Sequence, residues 1–242
     1  MTHPYTRKEL RSIIFGTLLG DSWLSARGQF QCEQVSLDLI NYKRKVLEQL
    51  TGRKLNISAR QRQNVVIEGR KVNSKRTFKI AINHPHYKKY YKVLYKEGKK
   101  KITASLLRRL TPPAIAMWIM DDGYLDYRKS NSTRYLMLCT DSFSWNEHQL
   151  IITYFKSLGI DSFIKTHQRN KMATVNNRIA FNGKNAQKLV GLIFPYMLPS
   201  FYYKIDLNYS RMDSIKIIPE YRQAIKSMAQ NRTASYLAED IV

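Results

Sequence analysis

Two aspartates, Asp21 and Asp122, each end a nearly unbroken apolar run, and together they could do chemistry that neither does alone. The first run is Ser12 to Asp21 (SIIFGTLLGD), the second Ala114 to Gly123 (AIAMWIMDDG). If both are helices, each brings a carboxylate to the negative end of a helix dipole and next to another carboxylate. Both interactions are unfavourable, and a cation between the acids removes them. A hard divalent ion, Mg2+ or Mn2+, takes carboxylate and carbonyl oxygens, and two such sites can clamp a phosphodiester on both sides. Either aspartate alone reads as a surface residue closing a core helix. The pair at matching positions, in a strongly basic chain, favours the metal reading.

The charge supplies the partner. Among 242 residues, 41 are Lys or Arg and 18 are Asp or Glu, a formal net charge of +23. Such a surplus repels itself in the folded state, and a polyanion offsets it. Nucleic acid is the natural choice, ahead of a merely basic soluble protein or a membrane-surface protein, since no strongly amphipathic basic helix dominates. Hydrophobic residues make up 43% of the chain and aromatics 12%, enough for a packed core and too many for wholesale disorder. Cys32 and Cys139 make no disulfide framework, and no zinc spacing of His and Cys occurs, which suits a reducing compartment. The chain has no apolar run of membrane-spanning length, and its first residues lack a secretory h-region. It is expected inside a cell or organelle, off the membrane, and not secreted. His84 and His86 flank Pro85, but exposed histidines are far commoner than such a metal pair. No phosphate-cradling Gly-rich loop or GxSxG is present.

The elements that must position the acids repeat. Thr6 with Glu9, and Thr111 with Pro112, start the two apolar helices. Gly16, Gly20 and Ala116 are small enough to let helix backbones approach closely. After the first helix come short strands at Asp21–Leu24 and Gln29–Val35, a helix near Leu37–Leu50, strands near Leu55–Gln63 and Arg76–Asn83, and a helix near Pro85–Lys96. After the second come strands at Gly123–Tyr127 and Arg134–Thr140 and a helix from Ser144 to Leu158. Strands near Ile160–Thr166 and Met172–Asn182 and a helix near Lys184–Phe194 follow. The order αββαββα, twice, predicts an α+β fold of two pseudo-symmetric repeats, residues 1–105 and 106–207, with a C-terminal tail at 208–242 that includes a short helix at Glu220–Ala229. Cys32 with Cys139, Gln34 with Asp141 and Lys101 with Lys204 are the matched landmarks. The longer spacing in the second repeat falls at the loop Asp126–Ser132.

Several strands alternate polar and apolar residues with a period of two. Asn56, Ser58, Arg60 and Arg62 interleave with Leu55, Ile57 and Ala59, and Thr77 and Lys79 interleave with Phe78 and Ile80. In the second half Lys165, His167, Arg169, Lys171, Asn176, Asn177 and Arg178 supply the polar side. Arg70-Lys71 and Arg128-Lys129 form basic tips, and Arg76 opens a strand. One such strand alone is a solvated sheet face. Four of them, all basic, suit the DNA major groove, where Arg and Asn fork onto base edges. Lys88, Lys89, Lys92 and Lys96 alternate with Tyr87, Tyr90, Tyr91 and Tyr95, a pattern that packs tyrosines and offers lysines to phosphate.

Ile14–Ser22 and Ile115–Gly123 resemble two copies of the LAGLIDADG motif of homing endonucleases, and the resemblance runs from about Glu9 to about Leu207. The eighth position, which holds metal in that family, falls on Asp21 and Asp122. Gly20 and Asp121, which precede them, join the expected metal set. In the first copy Ser22 replaces the final glycine. The resemblance implies two four-stranded antiparallel sheets forming a saddle on double-stranded DNA, with the motif helices at the interface between halves of a monomer. It also implies Mg2+-dependent hydrolysis of both strands. Gln34 and Asp141 match the polar position that helps organise metal-bound water, and Lys101 and Lys204 match the basic residue near each scissile phosphate. The other reading of the same scaffold is a non-cutting binder: an intron maturase acting on RNA, or a DNA-binding regulator. Retention of both acids favours the nuclease.

Overall fold

The computed structural model describes residues 5–61, 65–67, 70–72, 75–128, 133–168 and 175–205. The first half begins with α1 (Arg7–Leu19), then β1 (Ser22–Leu24), β2 (Gln29–Gln34) and α2 (Leu37–Thr51). It continues with β3 (Ser58–Arg60), β4 (Val65–Ile67), β5 (Arg70–Val72), β6 (Thr77–Asn83) and α3 (Tyr87–Leu94). A hairpin of β7 (Tyr95–Lys96) and β8 (Lys99–Lys100) and the short α4 (Ala104–Leu107) close it. The second half is α5 (Pro112–Asp122), β9 (Gly123–Arg128), β10 (Thr133–Leu138), α6 (Trp145–Ser157), β11 (Phe163–Gln168), β12 (Val175–Asn182) and α7 (Gly183–Ile193). Two 3-10 turns, Phe194–Tyr196 and Pro199–Lys204, follow. The expected tail at 208–242 lies outside the described residues.

The expected α+β class and its two pseudo-symmetric repeats hold. Each half carries a four-stranded sheet of equivalent order, β1-β2-β6-β3 and β9-β10-β12-β11, with every neighbour antiparallel. Thr6 and Glu9 form the capping box of α1, and Ser144 and Glu147 that of α6. Thr111 occupies the N-cap of α5, but its hydroxyl makes no capping bond. Among the described residues, no helix is long and apolar enough to cross a membrane.

Three boundaries differ from the sequence expectation. The strand read at Leu55–Gln63 is described only at Ser58–Arg60. The basic tip at Arg70-Lys71 belongs to an additional hairpin, β4–β5. The helix read as far as Lys96 stops at Leu94, because Glu97 and Gly98 take left-handed backbone angles, φ 52° and 75°, and turn Tyr95–Lys96 back onto Lys99–Lys100.

The core is built on the motif helices. Every residue of α1 from Ser12 to Leu19, and every residue of α5 from Pro113 to Met120, is buried. Helices apolar on all sides belong inside, and these two pack on each other between the sheets. Their backbones touch at Gly16, where an added Cβ would lie 2.1 Å from the Ala114 carbonyl oxygen.

Candidate active site

The paired helices bring their C-terminal ends together. At Gly20 an added Cβ would meet the Asp121 carboxylate at 2.5 Å, so the bare glycine leaves the space that the Asp121 side chain fills. The Asp21 amide, 3.4 Å from Asp121 Oδ2, points at the same carboxylate. Gln34, at the end of β2, donates through Nε2 to Asp21 Oδ2 at 3.0 Å and to Asp121 Oδ1 at 3.1 Å. Three carboxylates, Asp21, Asp121 and Asp122, thus share one locus at the interface between halves.

They are not equivalent. The Asp121 side chain is fully buried, and Lys43 Nζ donates to both of its oxygens at 2.7 and 2.9 Å. Burial raises the Asp121 pKa and the lysine opposes that rise. Asp122 has no such partner. Burial first, then the charges of Asp21 and Asp121, push its carboxyl up to about 7, well above the ordinary 3.8. Burial and the two neighbouring acids together outweigh the opposing charges of Lys100 and Lys204 at this carboxyl.

Two lysines face the carbonyl oxygens that precede the motif acids. Lys100 Nζ donates to Gly20 O at 2.7 Å, and Lys204 Nζ donates to Met120 O at 2.6 Å and Asp121 O at 3.0 Å. Burial lowers the pKa of both, while the three aspartates oppose that lowering. The expectation for Lys101 is therefore corrected by one residue. Successive strand residues point to opposite faces, so in β8 it is Lys100 that turns inward. Lys101 instead stands 3.9 Å from Glu147 and is 43% exposed.

The second half departs from the first at the polar position after the hairpin. Ser22 pairs with Cys32, and Gly123, its motif counterpart, pairs with Leu138. Two residues further along lie Gln34 and Thr140, so sheet register matches Gln34 to Thr140 and corrects the match to Asp141 by one residue. Burial agrees: Cys32 and Leu138 are buried, whereas Cys139 is half-buried. Thr140 is buried against His148 Nε2 at 3.0 Å and also donates to the Asn177 carbonyl at 3.3 Å. Asp141 does not reach the acids. It accepts from Arg178 Nε at 2.8 Å and from a second guanidinium nitrogen at 2.9 Å. Arg178 also donates to the Tyr124 hydroxyl at 2.8 Å, and these bonds raise its pKa.

The residues expected to touch DNA fall into four groups. Ser58, Arg60, Thr77 and Lys79 share one face of the first sheet, since Ser58 pairs with Lys79 and Arg60 with Thr77. Ser58 and Arg60 are exposed, and so are Asn56 and Arg76 at the approaches to the strands. Lys165 and Arg178 are register partners on one face of the second sheet, but each is engaged: Lys165 by Asp126 at 2.5 Å and by the Tyr135 ring, Arg178 by Asp141. Arg70, Lys71, Arg128 and His167 are placed by their strands. Arg62, Lys129, Arg169 and Lys171 lie outside the described residues.

Lys43 was absent from the sequence reading, although a signal was present. Leu39, Ile40, Val46 and Leu47 form the buried stripe of α2, and a lysine at position 43 interrupts that stripe. A cation on a helix's apolar face needs a buried anion opposite.

The donor set fits a hard divalent ion. No cluster of three or more His, Cys, Asp or Glu side chains is arranged as a closed metal cage among the described residues. Mg2+ does not need one: it binds one or two carboxylates, keeps waters and takes phosphate oxygens from a substrate. Asp21 and Asp122 with the adjoining carbonyls supply that kind of half-site.

The LAGLIDADG DNA endonuclease family profile matches residues 11–189. A probable intron-encoded DNA endonuclease 3 of Mycosarcoma maydis is 32% identical over 109 residues, covering 44% of this chain and 73% of the relative. Protein RecA of Mycolicibacterium chitae is 27% identical over 117 residues, covering 45% of this chain and only 27% of the relative. The homing endonuclease I-WcaI, solved bound to its DNA recognition sequence, superposes with a TM-score of 0.68 at 23% identity, over 82% of this chain and 86% of that one. With the profile spanning most of the sequence and both motif helices, the chain belongs to the LAGLIDADG DNA endonuclease family.

Proposed function

We propose that the protein is a monomeric, site-specific homing endonuclease that hydrolyses one phosphodiester in each strand of a long double-stranded DNA target with Mg2+ or Mn2+. The observation that carries this reading is the meeting of Asp21 and Asp122 at the crossing of two buried helices, with Asp122 short of compensating positive charge. Asp21 and Asp122, with the carbonyls of Gly20 and Asp121 once Lys100 and Lys204 turn from them toward the phosphates, would hold the metal. The metal would supply an activated water and neutralise charge on the phosphate.

Each residue of the locus then has work of its own. Lys100 and Lys204 stand beside the acids and would stabilise charge developing on the scissile phosphates. Gln34 orients Asp21 and presents an amide where a water would lie. Asp121, answered by Lys43, would lend its backbone carbonyl rather than its carboxylate. The exposed face bearing Ser58, Arg60 and Lys79 would read base edges in the major groove. On the second sheet, DNA would have to compete with Asp126 and Asp141 for Lys165 and Arg178.

A selection from a random duplex library tests the proposal. Incubation with Mg2+ should enrich one family of cleaved sequences of a single long consensus, and chelator should abolish the products. Retention of bound but uncut duplex would move the assignment to the non-cutting regulator. Preference for structured RNA with no cleavage would move it to the maturase.

A further inference from the structure

A cavity of about 490 Å³ opens at the end of the motif helices opposite the acids, walled by α1, α3 and the junction of α4 with α5. Five cations line it: Lys8, Arg11, Lys89, Arg108 and Arg109. No carboxylate lines the wall, and none of the five has an acidic partner among the described residues. Like charges gathered around one hollow repel each other, so the arrangement suits an anion.

The floor is aromatic. Phe15 and Tyr90 stand 4.8 Å apart by ring centroids, and the Arg109 guanidinium lies 6.0 Å from the centre of Phe15. Tyr90 is only 5% exposed, yet its hydroxyl has no hydrogen-bond partner among the described residues. Tyr90 lines the cavity together with Arg11 and Arg109. A buried polar group beside unpaired cations favours an oxygen acceptor.

This cavity is not the scissile site. Arg11 precedes Asp21 by ten positions, eight of them along α1, a separation of about 15 Å at the helical rise. Arg108 and Arg109 stand before the first turn of α5, whereas Asp122 ends it. The volume suits a ligand-sized unit rather than a duplex. Unpaired nucleotides are held by aromatic and guanidinium planes against their bases and by cations on their phosphates.

We infer that this cavity binds an unpaired stretch of polynucleotide, with phosphates on Arg11, Arg108 and Arg109 and the Tyr90 hydroxyl donating to a phosphate oxygen. The protein would then hold a single strand at one end of its motif helices and duplex DNA at the other.

The test uses the full chain and three fluorescent probes: a 12-nucleotide oligouridylate, a 12-nucleotide oligothymidylate and a random-sequence duplex, each titrated by anisotropy. The triple variant Arg11→Gln/Arg108→Gln/Arg109→Gln should lose about tenfold or more of its single-strand affinity, with a shallower salt dependence. Its duplex affinity and Mg2+-dependent cutting should stay within about threefold of the parent, since a few distant charges add only a screened field. Tyr90→Phe, which removes one oxygen and no charge, should weaken single-strand binding alone. Tighter binding of the oligouridylate would identify RNA as the source of the strand, and equal binding any single strand. Parallel losses for single strand and duplex, unchanged single-strand binding in both variants, or displacement of the oligonucleotide by one equivalent of duplex would overturn the inference. Because cutting is scored separately, failure here is distinct from failure of the nuclease reading.

Discussion

Lys43 Nζ lies 2.7 Å from Asp121 Oδ1, and the two side chains are 1% and 0% exposed. The lysine belongs to α2 of the first half and the aspartate to the motif helix of the second. The ion pair therefore ties the halves together at the point where their acids meet. Asp121 is answered within the protein, while Asp21 and Asp122 are not.

A buried pair of this kind is costly to break and much less costly to remove whole. Lys43→Met alone should destabilise the chain by about 3–5 kcal/mol, because Asp121 would be left buried and unpaired. Asp121→Asn alone should be similarly harmful, since it strands the lysine. The double variant should recover a large part of either loss. Urea denaturation of the four chains reads the coupling, and strictly additive losses would show that the two side chains do not act as a pair.

The Asp122 carboxyl gives a pH signature. Its native-state pKa, about 7, is raised above the ordinary 3.8. A carboxyl raised on folding contributes stability that is complete below the unfolded pKa and is lost as pH climbs through the folded one. The metal-free Asp122→Asn chain should thus melt above the parent by a margin that widens with pH, smaller at pH 5.5, midway between the unfolded and folded pKa, than at pH 8. Mg2+ should stabilise the parent more at pH 8 than at pH 5.5, and it should stabilise the variant little at either. Calorimetric melting curves at the two pH values decide this. A Tm difference between parent and variant that is the same at both pH values would remove the charge-deficit argument.

The sequence carried the motif helices and the order of elements, because buried helices advertise themselves by apolar runs and caps. The acids were legible for the same reason: Asp21 and Asp122 end those runs. Residues one position off were not. Lys100 and Lys101 are identical in chemistry, and only the left-handed turn at Glu97-Gly98 decides which one faces Gly20. Asp141 looked like the partner of Gln34 because Cys32 and Cys139 invited alignment, whereas sheet register pairs Cys32 with Leu138 in role. The engagement of Arg178 by Asp141 is a contact between residues 37 positions apart, which no local pattern displays.

The lysine correction makes its own prediction. Lys100→Met should lower the single-turnover cutting rate by about 10²–10³-fold, the usual loss on removing one preorganised charge from a reacting phosphate. Lys101→Met should change it little, apart from the stability carried by its contact with Glu147. Quenched-flow measurement on one selected duplex compares the two, and a larger loss for Lys101→Met would restore the original assignment.

Sequence reading should be separable from cutting. Arg60→Ala removes an exposed side chain from the face it shares with Thr77 and Lys79. Loss of one bidentate base contact should cost about 1–3 kcal/mol of discrimination at one base pair. Deep sequencing of cleaved libraries should show relaxed preference at that position with the cleavage rate on tolerated sites intact. An unchanged preference profile would remove Arg60 from the reading face.

The most direct test counts strands. A supercoiled plasmid carrying one selected site should be linearised by the parent in Mg2+. Asp21→Asn and Asp122→Asn should each bind that site with near-parental affinity and give no linear product. Normal linearisation by either variant would contradict the assignment of the paired acids as the metal-holding centre.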